Sequence, residues 1–485
     1  MKLEASRARD LVREAGGEEL VERLEHLDRS GSGSEQPHRV RAPSRGDARD
    51  VDVIFAGGGL SLLLAPLVAR SGLRVAVADR ARIGEAHREW NASAEELEAL
   101  VRVGLLTRPE LEELVVARYE RGICRWHGGG TWPVRGALDH AVDAGALLRF
   151  ARRASLEAGV LLLDHHTVEA SESGAGGVRV ALRDRGGAPR ELSARLLVEA
   201  RGASRPAHDA DLLCPTVGGV LEGLEQGSGE RQIDPKIGEI LVTTEHVEEG
   251  RQHIWEGFPG RDGQTTVYLF YYAPREEVRP GALLALYARF FEKLGAYKRG
   301  AAKLVRPTFG LIPGWTRMSA APRPRAPRVA LVGDAASRHS PLTFCGFGAM
   351  LRSLGPASSG IARAASSDAA DFVPSLVHDT PLHGGTGALA MMMAKPDVAR
   401  PAALNRLLDT AFATLHRMGD APYRALLRDE MSATDFASFL LRVSARSPSV
   451  YRDVFGAFGV APTLAWASRV GASVLGSVRD LRPRD

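Results

Sequence analysis

The sequence predicts an α/β fold: a parallel-sheet domain assembled from two separated stretches, an antiparallel-sheet domain interleaved between them, and a helical C-terminal region. Three observations predict it. Val51 to Arg80 reads as strand, glycine turn, helix and strand. Far along the chain, a second apolar strand from Val329 runs into Gly333 and Asp334. Between them, Glu239 to Thr244, His253 to Phe258 and Thr265 to Tyr272 read as short antiparallel strands.

Length and composition come first, because they bound what those stretches can build. The 485 residues, 44% hydrophobic and 25% charged, suffice for two interleaved domains and a tail, a domain commonly taking roughly 100 to 200 residues. Net charge is +4 and the pI ≈ 9.0, with the basic excess almost all Arg. No Lys/Arg run interleaved with aromatics is present, so no nucleic-acid partner is expected. Cys124, Cys214 and Cys345 are far apart and no His or Cys cluster has metal-ligand spacing. A reducing, cytoplasmic setting without a metal is therefore expected. Met1 to Asp50 lacks an apolar signal core, and no stretch approaches the roughly 18 apolar residues of a membrane span.

In chain order, residues 1–28 suit one or two surface helices, and Arg29 to Asp50 has linker composition. At Val51 the apolar strand begins, followed by Gly57, Gly58 and Gly59 and an apolar helical run from Leu60 to Arg70. Gly57 permits the tight turn, Gly59 admits a pyrophosphate, and the amides from Leu60 and Ser61 offer it donors. Asp79, followed by Arg80, ends the second strand where a carboxylate would accept from an adenosine ribose. Leu62 stands where the usual pattern has a third small residue.

The next signals are local. Asn91 or Ser93 caps a helix with Glu95 and Glu96 in its first turn, and Thr107 with Glu110 forms a capping box. Just before that cap, Arg88 to Asn91 form a polar and aromatic cluster that could reach back toward the nucleotide. An apolar helix is expected from Ala137 to Glu157 and a strand from Val160 to Asp164. His165 and His166 follow in a surface loop. Where this stretch is similar to flavin-dependent hydroxylase folds, the segment lies against the adenine, and the likeness implies Val168 as a backbone contact. Val178 to Leu182 and Leu192 to Leu197 read as a hairpin feeding a small-residue turn that contains Gly202.

The second motif is Gly333-Asp334, with Pro341 seven residues beyond Asp334 and Gly346, Phe347 and Gly348 opening an apolar helix. This arrangement is similar to flavoproteins of the aromatic-hydroxylase kind. The likeness implies that Asp334 meets ribityl or pyrophosphate-side hydroxyls while the loop amides meet the flavin's carbonyl edge. Both halves together indicate FAD.

The expected architecture is thus an FAD-binding Rossmann-like, flavin-hydroxylase-type domain with an interleaved antiparallel-sheet substrate domain and a helical C-terminal region. Residues 1–50 form an N-terminal helix and linker, 51–205 and 326–365 the two parts of the FAD-binding domain, 206–325 the substrate domain, and 366–485 the helical region. That last region ends in an apolar stripe over 450–478 followed by Arg479, Arg482 and Arg484. The stripe fits core packing or a helix lying at a membrane interface.

At REWNAS (88–93), WHGGGTW (126–132), HIWEGFP (253–259), PTFGLIPG (307–314) and GDAASRHSPLTFCGFGAM (333–350), the chain resembles the CruA/CruP-type lycopene cyclases. The resemblance covers roughly residues 50 to 360. It implies an FAD-dependent enzyme related to plant-type lycopene cyclases, a long apolar polyene substrate drawn from a membrane, and NAD(P)H as the reductant. Two departures from the pattern are Cys345, where a second glycine is expected, and Glu199, where an Asp is usual.

Cyclisation needs an acid held protonated in an apolar pocket and electron-rich surfaces for a cation. Glu256 is the expected acid, because alternation places it with Ile254 and Phe258 on one face of a strand. Trp255 is a candidate π surface, and His339 a candidate contact to flavin or substrate. Two other readings use the same motifs: an FAD-dependent monooxygenase acting on an apolar substrate, and a carotenoid-binding paralogue that does not cyclise.

Overall fold

The computed structural model describes residues 4–30, 42–44, 48–86, 89–202, 210–314, 316, 326–336, 342, 346–367 and 383–480. Arg88, His339, Pro341 and Cys345 lie outside them, as do residues 481–485.

A five-stranded parallel sheet runs in the order Val329–Leu331, Leu196–Glu199, Val53–Ala56, Val75–Ala78 and Leu161–Leu163. Val53–Ala56, Val75–Ala78 and Leu196–Glu199 are buried at every position, as continuous apolar runs covered on both faces require. Val53 pairs with both Val75 and Leu196, so the carboxyl ends of the three strands come level at one edge. In sheets of this kind ligands bind at that edge.

The run from Leu60 to Arg70 is two short pieces rather than one helix, a 3-10 turn at Leu60–Leu63 and a helix at Ala65–Ala69. Pro66, with no N–H to donate, stands at the start of the second. Leu62 is fully buried in the core on the sheet. The expected Ala137–Glu157 helix also divides: His140–Val142 is a strand, and the helix is Ala144–Glu157. Gly136 and Leu138 both have positive φ, and the Asp143 carboxylate accepts from Ala146 N at 2.8 Å as the cap. Ser93 and Thr107 each close a capping box, with Glu96 and Glu110 respectively.

The hairpin over residues 178–197 is part of a three-stranded sheet of Thr167–Gly174, Gly177–Arg183 and Pro189–Ala194. Leu196–Glu199 leaves it to join the parallel sheet. The larger antiparallel sheet has eight strands. Leu212–Leu224 lies between Gly300–Gly314 and Thr265–Phe270, and Ile254–Pro259 and Ile237–Val242 follow outward. This sheet also draws in Arg121–Arg125 and Thr131–Val134, from the stretch assigned above to the FAD-binding domain. Ile237–Val242 pairs antiparallel with Ile254–Pro259 but parallel with Arg121–Arg125, so the expected meander is broken there. A small sheet of Trp90–Ala92, His140–Val142 and Val115–Arg118 bridges the two large ones.

Helices follow from Gly346–Ser366 through Val460–Asp480. On the last two, Tyr451, Phe455, Val460, Leu464 and Leu475 are exposed. Among the described residues no helix is long and apolar enough to cross a membrane.

The N-terminal segment differs most from expectation. It is a helix, Ala5–Ser30, interrupted at Gly17 (φ 77), and it is not a surface appendage. Val12, Val21 and Leu24 are buried against the antiparallel sheet and the Ala282–Tyr297 helix. Asp28, itself buried, accepts from Leu283 N at 3.0 Å and Leu284 N at 3.4 Å. It caps a helix whose own N-cap, Gly281, has no side chain to offer. Replacing Asp28 with Ala therefore leaves two first-turn amides unsatisfied. The thermal unfolding midpoint should fall, with a stability loss of about 1–2 kcal/mol measured by denaturant titration.

Candidate functional site

The site begins where the first two parallel strands end. Gly57 has φ 113, and a β-carbon there would come within 2.8 Å of the Ala200 carbonyl oxygen, so only glycine fits. Gly57 N donates to Ala78 O at 2.9 Å, and Ser61 Oγ donates to Gly57 O at 3.0 Å. The Asp79 carboxylate then joins two turns, accepting from Gly58 N at 2.7 Å and from Ala81 N at 2.8 Å. Each carboxylate oxygen keeps a lone pair for a ligand hydroxyl.

These turns form one end of a cavity of about 660 Å³. Gly57, Gly59, Leu60, Ser61, Asp79 and Arg80 line it from the first half of the parallel-sheet domain, and Val168 and Gly202 from the loops after the next strands. Gly333, Asp334, Gly346 and Phe347 close it from residues 333–347. The two distant motifs therefore meet around one space. Gly58 and Gly348 do not line it: a β-carbon on Gly58 would meet the Ile83 side chain, and one on Gly348 would meet the Glu96 carboxylate. They shape the backbone from behind. Arg88, His339 and Pro341 fall outside the described residues.

Arg201, a further lining residue, grips Glu199 through both guanidinium arms at 2.9 and 2.7 Å and donates to Val168 O at 3.0 Å. Burial works against its charge, and the bidentate carboxylate more than offsets this, leaving its pKa raised. The pair ties the start of the Thr167–Gly174 strand to the parallel sheet.

The other end of the cavity is apolar. Trp90 stacks on Phe347 with ring centroids 4.9 Å apart, and Phe309, Leu311 and Met350 continue the wall. Glu256 lies in this wall, only 6% exposed, opposite Tyr268 on the neighbouring strand. Its Oε1 accepts one hydrogen bond, from Asn91 Nδ2 at 3.0 Å. Burial raises its pKa to about 7, with Asn91 pulling in the opposite direction. Its Ile254–Pro259 strand is buried at every position, so alternation separates two interiors rather than core from solvent.

Trp255 points into the other interior. It stacks on Tyr297 at 4.7 Å with an interplanar angle of 10°, and its indole Nε1 donates to Thr244 Oγ1 at 3.2 Å. That is a packing role beneath the Ala282–Tyr297 helix, and Trp255 offers no face to the cavity. Among the described residues it is Trp90, not Trp255, that lines the cavity.

Sequence reasoning missed three contributors on the N-terminal helix. Arg23, His26 and Leu27 line the cavity beside Asp79 and Arg80, and burial together with the nearby Arg23 charge lowers the Arg80 pKa. Their spacing, i, i+3 and i+4, marks one helical face. The 20-odd residues of linker composition that follow hid where that face docks. A second cavity, of about 630 Å³, meets the first at Arg23, Glu85, Ala86 and Glu89, with a Glu89–Arg306 ion pair at the junction. Among the described residues no group of His, Cys, Asp and Glu side chains could hold a metal ion.

No protein-family model matches the chain, and no curated protein matches it. Solved structures do. A geranylgeranyl bacteriochlorophyll reductase-like protein from Thermoplasma acidophilum superposes with a TM-score of 0.54 at 14% identity, over 83% of this chain and 98% of its own. The halogenase PltM, in complex with phloroglucinol and FAD, gives 0.55 at 14% identity over 89% and 93%. The anhydrotetracycline hydroxylase OxyS from Streptomyces rimosus gives 0.50 at 18% identity over 78% and 76%. At such identities the likeness is one of fold: the chain has the Rossmann-like, mixed α/β fold of FAD-binding flavoproteins, with separate antiparallel sheets and a helical C-terminal region.

Proposed function

We propose that the chain is an FAD-dependent carotenoid cyclase, closing β-type rings at the ends of a lycopene-like polyene by proton-initiated, redox-neutral cyclisation with NAD(P)H as the reductant of the flavin. The observation that carries this reading is Glu256: a buried carboxyl that favours its protonated form, set in the apolar wall of the same cavity that Asp79 and Asp334 line.

The residues present fit FAD. Nothing lies within 4 Å of a β-carbon placed on Gly59, so backbone there is open to close approach by a pyrophosphate. Asp79 would hold the adenosine ribose, and Asp334 the ribityl or pyrophosphate side. Bound reduced flavin would supply an electron-rich surface beside a developing cation.

The chain's own residues would do the rest. The Glu256 carboxyl would transfer its proton to a terminal alkene carbon, the π electrons of a second alkene would close the six-membered ring on the resulting cation, and a C–H proton adjacent to the new cation would pass to the Glu256 carboxylate, restoring an alkene and the acid. Atoms balance and the product is an isomer. The Trp90–Phe347 stack presents aromatic surface toward positive charge, and Phe309, Leu311 and Met350 exclude the water that would quench it. The two joined cavities suit an elongated substrate better than either alone.

The same reading places the protein peripherally on a membrane. Tyr451, Phe455, Val460, Leu464 and Leu475 are exposed on the last two helices, with Arg452 exposed among them, a composition suited to an interface. Flotation of the purified protein with anionic lipid vesicles should carry it upward, and a Phe455→Ser, Leu464→Ser variant should stay behind.

Shared fold with a halogenase and a hydroxylase favours one second reading, oxygen-dependent monooxygenation of an apolar substrate. Expression in a lycopene-accumulating bacterial host separates the two. A cyclase converts lycopene to a ring-bearing product of unchanged mass, with Asp334→Ala and Glu256→Gln both inactive. A product heavier by one oxygen establishes the monooxygenase. Unchanged lycopene alongside bound flavin overturns the cyclase.

Glu256 also has a consequence for stability. Its pKa is 4.5 ordinarily and about 7 when folded, so between those values the unfolded chain binds fewer protons than the folded one. Stability is fully present below the lower value and is lost as pH rises through the upper. Glu256→Gln removes that loss, and its stability relative to wild type should improve between pH 5 and pH 8 by on the order of 3 kcal/mol in denaturant titrations.

A further inference from the structure

The N-terminal helix brings a positive charge to the wall of the dinucleotide cavity, and its place there is fixed at three points. Gly16 lies on Pro307, whose side chain would be 3.1 Å from a β-carbon there, so the helix sits close against the Gly300–Gly314 strand. Val12, Val21 and Leu24 fill the interior beneath it. Asp28, near its end, holds the Leu283 and Leu284 amides of the Ala282–Tyr297 helix. The strand under Gly16 goes on to supply Phe309 and Leu311 to the cavity wall, so helix and wall are positioned together. Arg23 and His26, at i and i+3, then border the cavity from one helical face.

Among the described residues three arginines line this cavity, Arg23, Arg80 and Arg201. Arg201 is held at both arms by Glu199. Arg80 makes no hydrogen bond or ion pair among the described residues, and the carboxylate beside it in sequence, Asp79, already accepts from Gly58 N and Ala81 N. Burial works against the Arg80 charge, Asp79 offsets part of that, and the Arg23 charge works against it again. Two other carboxylates of the lining are paired elsewhere, Glu89 with Arg306 and Glu169 with Arg183. Like charges brought to one cavity repel until an anion joins them.

We propose that Arg23 is a cofactor-binding residue: together with Arg80 it receives the phosphates of the ADP half of FAD, which makes the N-terminal helix a wall of the cofactor site.

The choice of the ADP half follows from what stands at each end. Arg80 directly follows Asp79, the ribose acceptor at the end of the second parallel strand, whereas the apolar end with Trp90 and Phe347 suits an uncharged ring. The negative charge of FAD resides on its diphosphate, and a guanidinium presents paired N–H donors that match phosphate oxygens. Arg23 also lines the second cavity, so it stands where the two spaces meet and can close the first at its polar end.

The inference rests on FAD as the occupant of this cavity, and its test reads binding rather than turnover. The full-length apoprotein is titrated with FAD by flavin fluorescence, bound FAD is displaced with ADP, and riboflavin is titrated separately. In Arg23→Met the affinities for FAD and ADP should fall about 10- to 100-fold, the loss expected of a charge-assisted hydrogen bond, while riboflavin, which has no phosphate, binds as to wild type. Added salt should weaken FAD binding less in Arg23→Met than in wild type. Arg9→Met removes an arginine of the same helix that pairs with Glu25 at 2.5 Å and does not line the cavity, and it should leave all three affinities unchanged. Unchanged FAD affinity in Arg23→Met overturns the proposal, as does an equal loss for riboflavin, which would mean that the whole cavity is disturbed. If NADPH affinity falls while FAD affinity holds, Arg23 serves the reductant and the proposal is overturned. Should Arg23→Met not fold, Arg23→Lys decides, because it keeps the charge without the fork: wild-type affinity for FAD overturns the proposal and a loss confined to FAD and ADP supports it. A wild-type protein that binds no FAD overturns the FAD reading itself, whereas FAD bound equally by wild type and Arg23→Met overturns this inference alone.

Discussion

A carboxyl group taken out of water resists ionisation unless something repays the lost solvation, and here one amide N–H is the visible compensation. Glu256 is buried on a strand that is itself buried at every position, so neither face could have accepted a charge cheaply. The surrounding structure follows from that placement. Ile254 and Phe258 share its face, and Trp255 and Gly257 turn to the other, where Tyr297 stacks on the indole and fills the room Gly257 leaves. The small sheet of Trp90–Ala92, His140–Val142 and Val115–Arg118 brings Asn91 against the acid and carries Trp90 to the cavity wall. That sheet joins the two domains, so the acid is positioned by both.

The helix opening at Gly346 is held with comparable care. Glu96, 1% exposed, sits against Gly348 and pairs with Arg352 on the same helix, while Arg428 from the C-terminal region approaches it at 3.5 Å. Arg352 and Arg428 in turn share Glu430 at 3.0 and 2.9 Å. A buried charge stripped of its partners costs several kcal/mol, so this cluster moves as a unit or not at all. Asp409 makes a second tie, accepting from Gly130 N at 2.7 Å and Trp132 Nε1 at 2.8 Å. Through these contacts the C-terminal helices brace both the Gly346 helix and the Arg121–Val134 hairpin.

Local rules made much of this legible. Continuous apolar runs identified the parallel strands, glycines followed by Asp79 identified the turn, and Ser93 and Thr107 announced their capping boxes. Alternation put Glu256 on one strand face with Ile254 and Phe258, but their surroundings differ: Ile254 packs with the C-terminal helices and Phe258 with Tyr119 and Tyr268. What failed depended on information that is not local. Alternation cannot say which face is which when both are buried, and Trp255 was lost to that ambiguity. The N-terminal helix carried an apolar stripe, but its partner is some 255 residues away at Leu283. Parallel pairing of Ile237–Val242 with Arg121–Arg125 is equally distant in sequence and left no local mark. Asn91 meets a carboxyl 165 residues further along the chain.

The cavity has two chemically different ends, and their separation is what makes both usable. Asp79, Arg80, Arg201 and Asp334 gather at the strand edge, where charges and backbone amides can meet a polar, anionic ligand. Trp90, Phe347, Phe309 and Met350 gather at the other, where an uncharged acid is favoured and a cation would find aromatic surface. Were Glu256 at the polar end, nearby guanidinium groups would hold it ionised and unable to donate. At the polar end the Asp79 carboxylate instead ties Gly58 to Ala81 through their backbone amides. The N-terminal helix, placing Arg23 and His26 at the polar end while its apolar face packs on the antiparallel sheet, keeps the two ends in register. One dinucleotide spanning the cavity would then present its charged half to the first environment and its ring to the second.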